Sequence, residues 1–430
     1  MRGPADQPPP MLGELGAIAA LLAASAVEKR AVEDFVRSAA HLLAGSPLNV
    51  ERVFLSLQTL HPAFRARTYI WRRRTDGVEV TEWPHGLENR PGYYDSPDFH
   101  VHMTQREFHL AEPQAIAQPG CDPYQELKAD GYTDYLMVPL LFSDGTINTL
   151  AIATRRPDGF PAAALDCFRD LADMFVIILE RYAALETVAS TLRTYLGGDT
   201  SEKILRGGIR TGHGEIIDAV VLYADLRDFT ALSSKLPEVA TVRLLNDYFD
   251  CVVGPIERLG GHVLKFIGDA VLAFFPVLPS GEPVRPLDAV GAIEHRLVQL
   301  NQARRRRGAP GIRHGLCLHF GQVLYGNVGS SSRLDFTIIG QAVNVAARCV
   351  EISRNLVVDY LFTGDFVERF GGEGLARVDV LDLRGIPRPI ELLTFAHAKQ
   401  RARELSRLTP DHSTARSISA GRSRRKAGQR

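Results

Sequence analysis

From Ile216 to Ala224 the chain is an almost unbroken apolar run, and it stops at Asp225-Leu226-Arg227-Asp228-Phe229-Thr230. Such a run is expected of a central strand buried on both faces, which commits this part of the chain to a covered sheet. A carboxylate at the end of a buried strand, followed by the start of a helix, is a station for metal and phosphate. Asp225 offers hard oxygen ligands. The helix start at Phe229 and Thr230 offers free N–H groups to a polyphosphate.

A second block lies further on, from Gly261 to Phe275. Two apolar strands there surround a tight Gly268-Asp269 turn. A hairpin pairing beside the first strand would bring Asp269 near Asp225. Two carboxylates at neighbouring strand ends hold divalent ions more readily than they tolerate mutual repulsion. Each Asp alone reads equally well as a turn residue. The third block runs from Phe336 to Arg348, helical from Gln341. Asn344 and Arg348 share one helical face. An amide and a guanidinium on one face suit an oxyanion that gains charge during reaction.

Composition narrows the function classes. Lys+Arg and Asp+Glu both number 50 in 430 residues, so the net charge is zero. A nucleic-acid binder working through its whole surface would be basic. Hydrophobic residues make up 45% and charged residues 23%, as in a globular protein. No apolar run reaches the roughly 18 to 20 residues of a membrane span. Leu15–Val27 comes nearest, but Asp6 and Glu14 precede it with Arg2, a poor leader for a signal peptide. The five cysteines are scattered without CxxC spacing, so neither a disulfide framework nor a zinc site is expected. A reduced cytoplasmic setting fits that usage.

Four regions follow along the chain. Residues 12–160 open with helical patterning and continue with strand-like runs. Asp76-Gly77 and Asp144-Gly145 lie between such runs and mark hairpins. Helix, antiparallel strands and a closing helix make an α+β pattern, which resembles a GAF-type sensory domain in topology alone. Residues 161–197 read as one long helix. Phe168, Phe175, Ile178, Tyr182, Leu185, Ala189, Leu192 and Leu196 recur at helical steps. That seam suggests a parallel coiled coil that couples two domains, or a helix packed on its own domain. Residues 216–396 carry the chemistry. Residues 398–430 are Arg-, Ser- and Gly-rich and are expected to form a basic disordered tail.

The three chemical blocks resemble the catalytic domain of class III adenylyl and guanylyl cyclases, in family order and with family-like spacing. The resemblance covers about 216–396. It implies a ferredoxin-like α+β fold with helices on one face, working as a head-to-tail homodimer with sites at the interface. By matching position, Asp225 and Asp269 fall at the two metal-binding aspartates, which hold two Mg2+ or Mn2+ ions. Lys265 falls at the purine-reading lysine and Thr337 at the second purine-reading position. Asn344 and Arg348 fall at the transition-state pair. Arg384, in Leu383-Arg384-Gly385, falls where a basic residue grips the triphosphate, with Arg388 as a substitute.

Thr337 departs from the Asp of many adenylyl cyclases. A hydroxyl both accepts and donates, and a Thr-containing subset of the family makes cyclic AMP. Lys265 favours adenine, whose ring nitrogen accepts, over guanine, which presents an N–H there. The resemblance therefore implies ATP as substrate, with an unidentified ligand on the N-terminal domain. The alternatives are a guanylyl cyclase and a non-catalytic cyclase-like dimerisation module. Gly371-Gly372-Glu373-Gly374 lacks the Asp and Phe of a diguanylate cyclase signature. His100, His102 and His109 read as polar loop residues rather than a metal site. Arg304–Arg307 reads as the solvated C-terminal end of a helix.

Overall fold

A computed structural model of the protein describes residues 10–28, 31–86, 92–111, 122–208, 210, 212, 214–277, 284–383 and 385–398. The basic tail from 399 onward and Arg384 lie outside the described residues. The chain divides into two compact units, Met1–Tyr195 and Leu196–Arg430.

The first unit opens with helices α1 (Pro10–Glu28) and α2 (Val32–Gly45). Strands β1 (Arg52–Gln58), β2 (Phe64–Arg72) and β3 (Val78–Pro84) follow. Next come α3 (Pro97–Thr104), β4 (Phe108–Ala111) and α4 (Asp122–Ala129). Strands β5 (Asp134–Leu141) and β6 (Ile147–Thr154) and the long helix α5 (Ala162–Leu196) complete it. The strands make one antiparallel sheet, ordered β3-β2-β1-β6-β5-β4. Both Asp-Gly hairpins form where the sequence marks them. Asp76 takes a left-handed φ of 52°, and the Asp144 carboxylate accepts the Thr146 N–H at 2.8 Å.

Period-two alternation divides this sheet. Val53, Leu55, Leu57, Tyr69, Trp71, Leu136 and Val138 join one core with Phe35, Leu43 and Phe168 from α2 and α5. Phe54, Tyr135 and Met137 point the other way, toward Val101 of α3 and Leu127 of α4.

Of the two readings of the stripe from Phe168 to Leu196, its first half takes that of a helix packed on its own domain. Phe168, Phe175, Ile178 and Tyr182 are buried in the unit's own core. A helical stripe reports that a face is covered and not by what; here the sheet covers it. Leu185 is 57% exposed. Phe168→Ala is therefore expected to destabilise the first unit by about 3–5 kcal/mol, and Leu185→Ala by less than about 0.5 kcal/mol. Denaturant unfolding of the two variants measures the contrast. Similar costs would contradict this division of the helix.

The second unit begins with α6 (Gly198–Leu205) and β7 (Gly214–Leu226). Helices α7 (Phe229–Ser233) and α8 (Glu238–Arg258) follow, then the hairpin of β8 (His262–Ile267) and β9 (Ala270–Pro276). After α9 (Pro286–Arg306) come β10 (His314–Gly329), β11 (Leu334–Ile339) and α10 (Gln341–Ser353). The unit ends with β12 (Tyr360–Thr363), α11 (Gly364–Phe370), β13 (Leu375–Leu381) and β14 (Ile390–Phe395).

The sheet is ordered β13-β14-β12-β10-β7-β9-β8, with β11 paired to β10. Within it, β7-α8-β8-β9-α9-β10 gives the spatial order β10-β7-β9-β8 with every pairing antiparallel. That is the βαββαβ arrangement of a ferredoxin-like fold. The apolar run is a central strand, as its composition requires.

The helices cover both faces of this sheet, not one. Val220, Leu222, Ala224 and Leu226 of β7 pack with Tyr248, Val252 and Ile256 of α8 and Val290 and Ile293 of α9. Ala219 and Val221, on the alternate face, pack with Ala342 and Ala346 of α10. A strand apolar at every position has two faces to bury, and the small residues of α10 let that helix cover the second. Gly371-Gly372-Glu373-Gly374 is the turn between α11 and β13, with φ of 85° at Gly371 and 76° at Gly374. No helix among the described residues is long and apolar enough to cross a membrane.

Candidate active site

β7 delivers Asp225 to the edge of the buried core, and the β8–β9 hairpin delivers Asp269 beside it. The register sets this. Ala224 of β7 stands opposite Val271 of β9, and Ile267 stands opposite Ala270 across the hairpin turn. Gly268 closes the turn at a φ of 64°, a conformation that favours glycine.

The two carboxylates lie within hydrogen-bonding reach of each other. Burial and the neighbouring Asp225 push the Asp269 carboxyl up to about 6, although the Leu226 N–H donates to it. Like charges so close cannot both ionise at low cost, so at mildly acid pH the pair holds a proton between them. A divalent cation is the other way to satisfy such a pair. Its hard oxygen ligands match Mg2+ or Mn2+, and the donor set fits. Among the described residues no group of three or more His, Cys, Asp or Glu is placed to hold a metal ion. A metal here would thus depend on these two side chains and on substrate oxygens.

Two further residues hold the strand end, and the sequence alone marks neither. Arg354 pairs with Asp225, Nη2 to Oδ2 at 3.0 Å. This contact occupies one carboxylate oxygen. Arg227 turns back under the sheet. Its Nη2 donates to Ser353 Oγ at 2.6 Å and to the Val358 carbonyl at 2.9 Å. These bonds tie the residue next to Leu226 to the end of α10. Gly315, opposite Asp225 in register, leaves the space; a Cβ there would lie 3.0 Å from the Arg227 guanidinium carbon.

The helix start expected to cradle phosphate is a single turn. α7 has five residues, so its dipole is small. Asp228 before it is left-handed at a φ of 57°. Phe229 packs partly into the α8 core and Thr230 is exposed.

Lys265 on β8 makes an ion pair with Asp335 on β11. Asp335 lies two residues from Thr337, on the same face of that strand. The sheet thus gathers Lys265 and Thr337 into one neighbourhood. Asp335 escapes a reading confined to matched motifs; its period-two spacing from Thr337 is the signal that could find it. Thr337 is 7% exposed. Asn344 is exposed on α10, and Arg348 lies one turn further along, half-buried. Arg388 is engaged with Asp365.

Among the described residues no hydrogen bond or ion pair joins Asp225 or Asp269 to Lys265, Thr337 or Asn344. The chain therefore presents two groups of polar residues rather than one closed constellation.

The histidines fall elsewhere. His102 Nδ1 lies 2.7 Å from the Asp98 carbonyl, and His109 Nε2 lies 2.8 Å from Asp134 Oδ1. His100 packs on the Phe108 ring. Basic residues close α9, as its C-terminal end favours.

Comparison with known proteins joins this geometry to a lineage. The family model "Adenylate and Guanylate cyclase catalytic domain" matches residues 213–359. An adenylate cyclase of Anabaena cylindrica is 33% identical over 163 residues, 37% of this chain and 32% of that protein. Adenylate cyclase 1 of Rhizobium meliloti is 30% identical over 173 residues, 39% of this chain and 26% of that protein. The matched stretch is thus about a third or less of the length of these curated relatives. A solved bacterial light-regulated adenylyl cyclase aligns over 64% of this chain and 90% of its own, at 21% identity and a TM-score of 0.43. Over residues 213–359 the chain is thus similar to adenylate and guanylate cyclase catalytic domains.

Proposed function

We propose that the protein is an adenylyl cyclase that converts ATP to 3′,5′-cyclic AMP and pyrophosphate. The ribose O3′ forms a bond to the α-phosphorus, the bond from that phosphorus to the departing pyrophosphate breaks, and the hydroxyl proton is released. The observation that carries the reading is the carboxylate pair Asp225–Asp269 at the end of the central strand. Both side chains would hold Mg2+ or Mn2+, two ions per site. Such ions, when bound, neutralise phosphate charge and lower the pKa of the attacking hydroxyl.

The chain's own residues supply the rest. Lys265 donates to the adenine ring and Thr337 accepts from its amino group. Asn344 orients the ribose. Arg348 stabilises charge on the reacting phosphate. Phe229, Thr230 and Arg384 line the triphosphate, and Arg388, engaged with Asp365, is the weaker candidate for that grip. The division of polar residues into two groups supports a site assembled from two chains. In a head-to-tail homodimer the aspartates come from one protomer and the Lys265, Thr337, Asn344 and Arg348 set from the other. The first unit would act as a GAF-like sensory domain for a small ligand, with α5 as the coupling helix. Cytoplasmic residence fits its buried free cysteines.

The test is product formation by the purified full-length protein with Mn2+, given ATP or GTP in parallel. Cyclic AMP is expected to dominate by at least about tenfold, since a donor facing the guanine N–H leaves a hydrogen bond unmade. Cyclic GMP as the major product would make it a guanylyl cyclase. No product from either would leave the dimerisation module.

A further inference from the structure

In the first unit, the sheet face turned away from α2 and α5 borders a cavity of about 520 Å3. That is room for a small organic molecule. Period-two alternation brings Phe54, Thr68, Trp83 and Tyr135 to it from four strands. Its floor is aromatic, and its chemistry is concentrated at one end.

There Arg52 of β1 stands directly opposite Arg72 of β2. Like charges in cross-strand register repel unless an anion lies between them. Arg72 is well supplied: Nη1 lies 2.8 Å from Glu79, Nη2 pairs with Glu126, and Nε lies 3.7 Å from Asp130. Arg52 is not. Its Nη2 reaches the second oxygen of Glu126, Oε2, only at a long 3.4 Å, so that carboxylate bridges the two guanidiniums unequally; its other polar neighbour is the Tyr135 hydroxyl. Its Nε is buried and makes no hydrogen bond among the described residues. The residue is 4% exposed. A guanidinium cannot shed its charge in a protein, and a buried ion with incomplete pairing is costly. The remaining acid of the lining, Asp98, is engaged by Thr149 and lies 3.6 Å from His102. Tyr135 stands beside Arg52, and burial holds its phenol in the neutral, donating form. The cavity wall therefore presents a buried guanidinium whose Nε is unpartnered and whose only carboxylate contact, to Glu126, is long, beside a phenol; among the described residues the lining acids Glu79, Asp98 and Glu126 are each already engaged.

We propose that this cavity binds a small aromatic carboxylate, its anionic group on Arg52 and Tyr135 and its ring among Phe54 and Trp83. The site deepens the sensory reading of the first unit. Because binding is read without turnover, the two can fail separately.

The experiment uses the full-length protein with benzoate, 1-naphthoate and indole-3-carboxylate, each beside its uncharged primary amide. Calorimetry gives affinity, and tryptophan fluorescence gives location, since Trp83 lines the cavity while Trp71 sits in the opposite core. At least one acid is expected to bind about tenfold or more tighter than its amide, because a charge-assisted pair replaces a neutral one. Its binding should shift a signal that Trp83→Phe removes. Arg52→Gln, with its fold checked by circular dichroism, should abolish the preference for acid over amide. Should that variant fail to fold, the wild-type preference and the Trp83 signal still decide. Equal affinity of every acid and its amide overturns the proposal. So does saturable binding that leaves the Trp83 signal unmoved.

Discussion

Replacing Asp269 with alanine is expected to lower turnover by at least about a thousandfold, because nucleophile activation and charge neutralisation are lost together. Asp225→Ala should behave alike. The fold should survive, since Asp269 occupies a hairpin turn and its carboxylate is, without metal, an electrostatic burden. Its raised pKa makes the direction explicit. The folded state holds this proton more tightly than the unfolded chain does. In metal-free protein the group therefore adds stability as pH falls from about 6 toward 3.8, and that increment is absent above this window. Asp269→Ala should flatten this part of the stability–pH curve. Added Mn2+ should raise the wild-type melting temperature and leave that of the variant nearly unmoved, as ligand linkage requires. Near-normal activity of Asp269→Ala with Mg2+ would sink the metal assignment.

The aspartate pair is legible in the sequence because local signals carry it. A strand apolar at every position must be central, a Gly-Asp step between two apolar runs must turn, and a hairpin beside that strand must bring the turn to its end. The partners of that site are not legible in the same way. Arg354 is 129 residues from Asp225, and Asp335 is 70 from Lys265. No spacing rule joins residues so far apart; their meeting follows from strand order. Arg227 follows Asp225 by two residues, yet its role depends on Ser353 and Val358, which pattern alone does not bring near.

The first unit shows the same limit from another side. Its hairpins follow from Asp-Gly steps, but the alternate residues of β1, β2 and β3 include Ser56, Gln58, Thr68 and Thr81, whose polarity does not announce a covered face. Two eight-residue helices, α3 and α4, supply Val101 and Leu127 to that face. Helices of two turns leave little periodic signal, so the cover and the cavity are invisible before the fold is known. The stripe on α5 is the converse case: its period is correct, and its partner over the first half is the chain's own sheet.

Mixing Asp225→Ala chains with Arg348→Ala chains is expected to restore activity that neither variant has alone. If each site takes its aspartates from one protomer and Arg348 from the other, a mixed dimer gathers both lesions in one site and none in its twin. Random pairing of equal amounts makes half of the dimers mixed, each with one intact site. The mixture should then recover about a quarter of wild-type activity per chain, the ceiling set by symmetry. The two variants alone should stay at least about a thousandfold and a hundredfold down, for loss of the metal pair and of one charge-stabilising donor respectively. The measurement is cyclic AMP formation after co-expression with two affinity tags, so that heterodimers are isolated as such. Isolated heterodimers without activity would place Asp225 and Arg348 in the same site of one chain. The two polar groups would then have to meet by a rearrangement within the domain rather than by pairing of two chains.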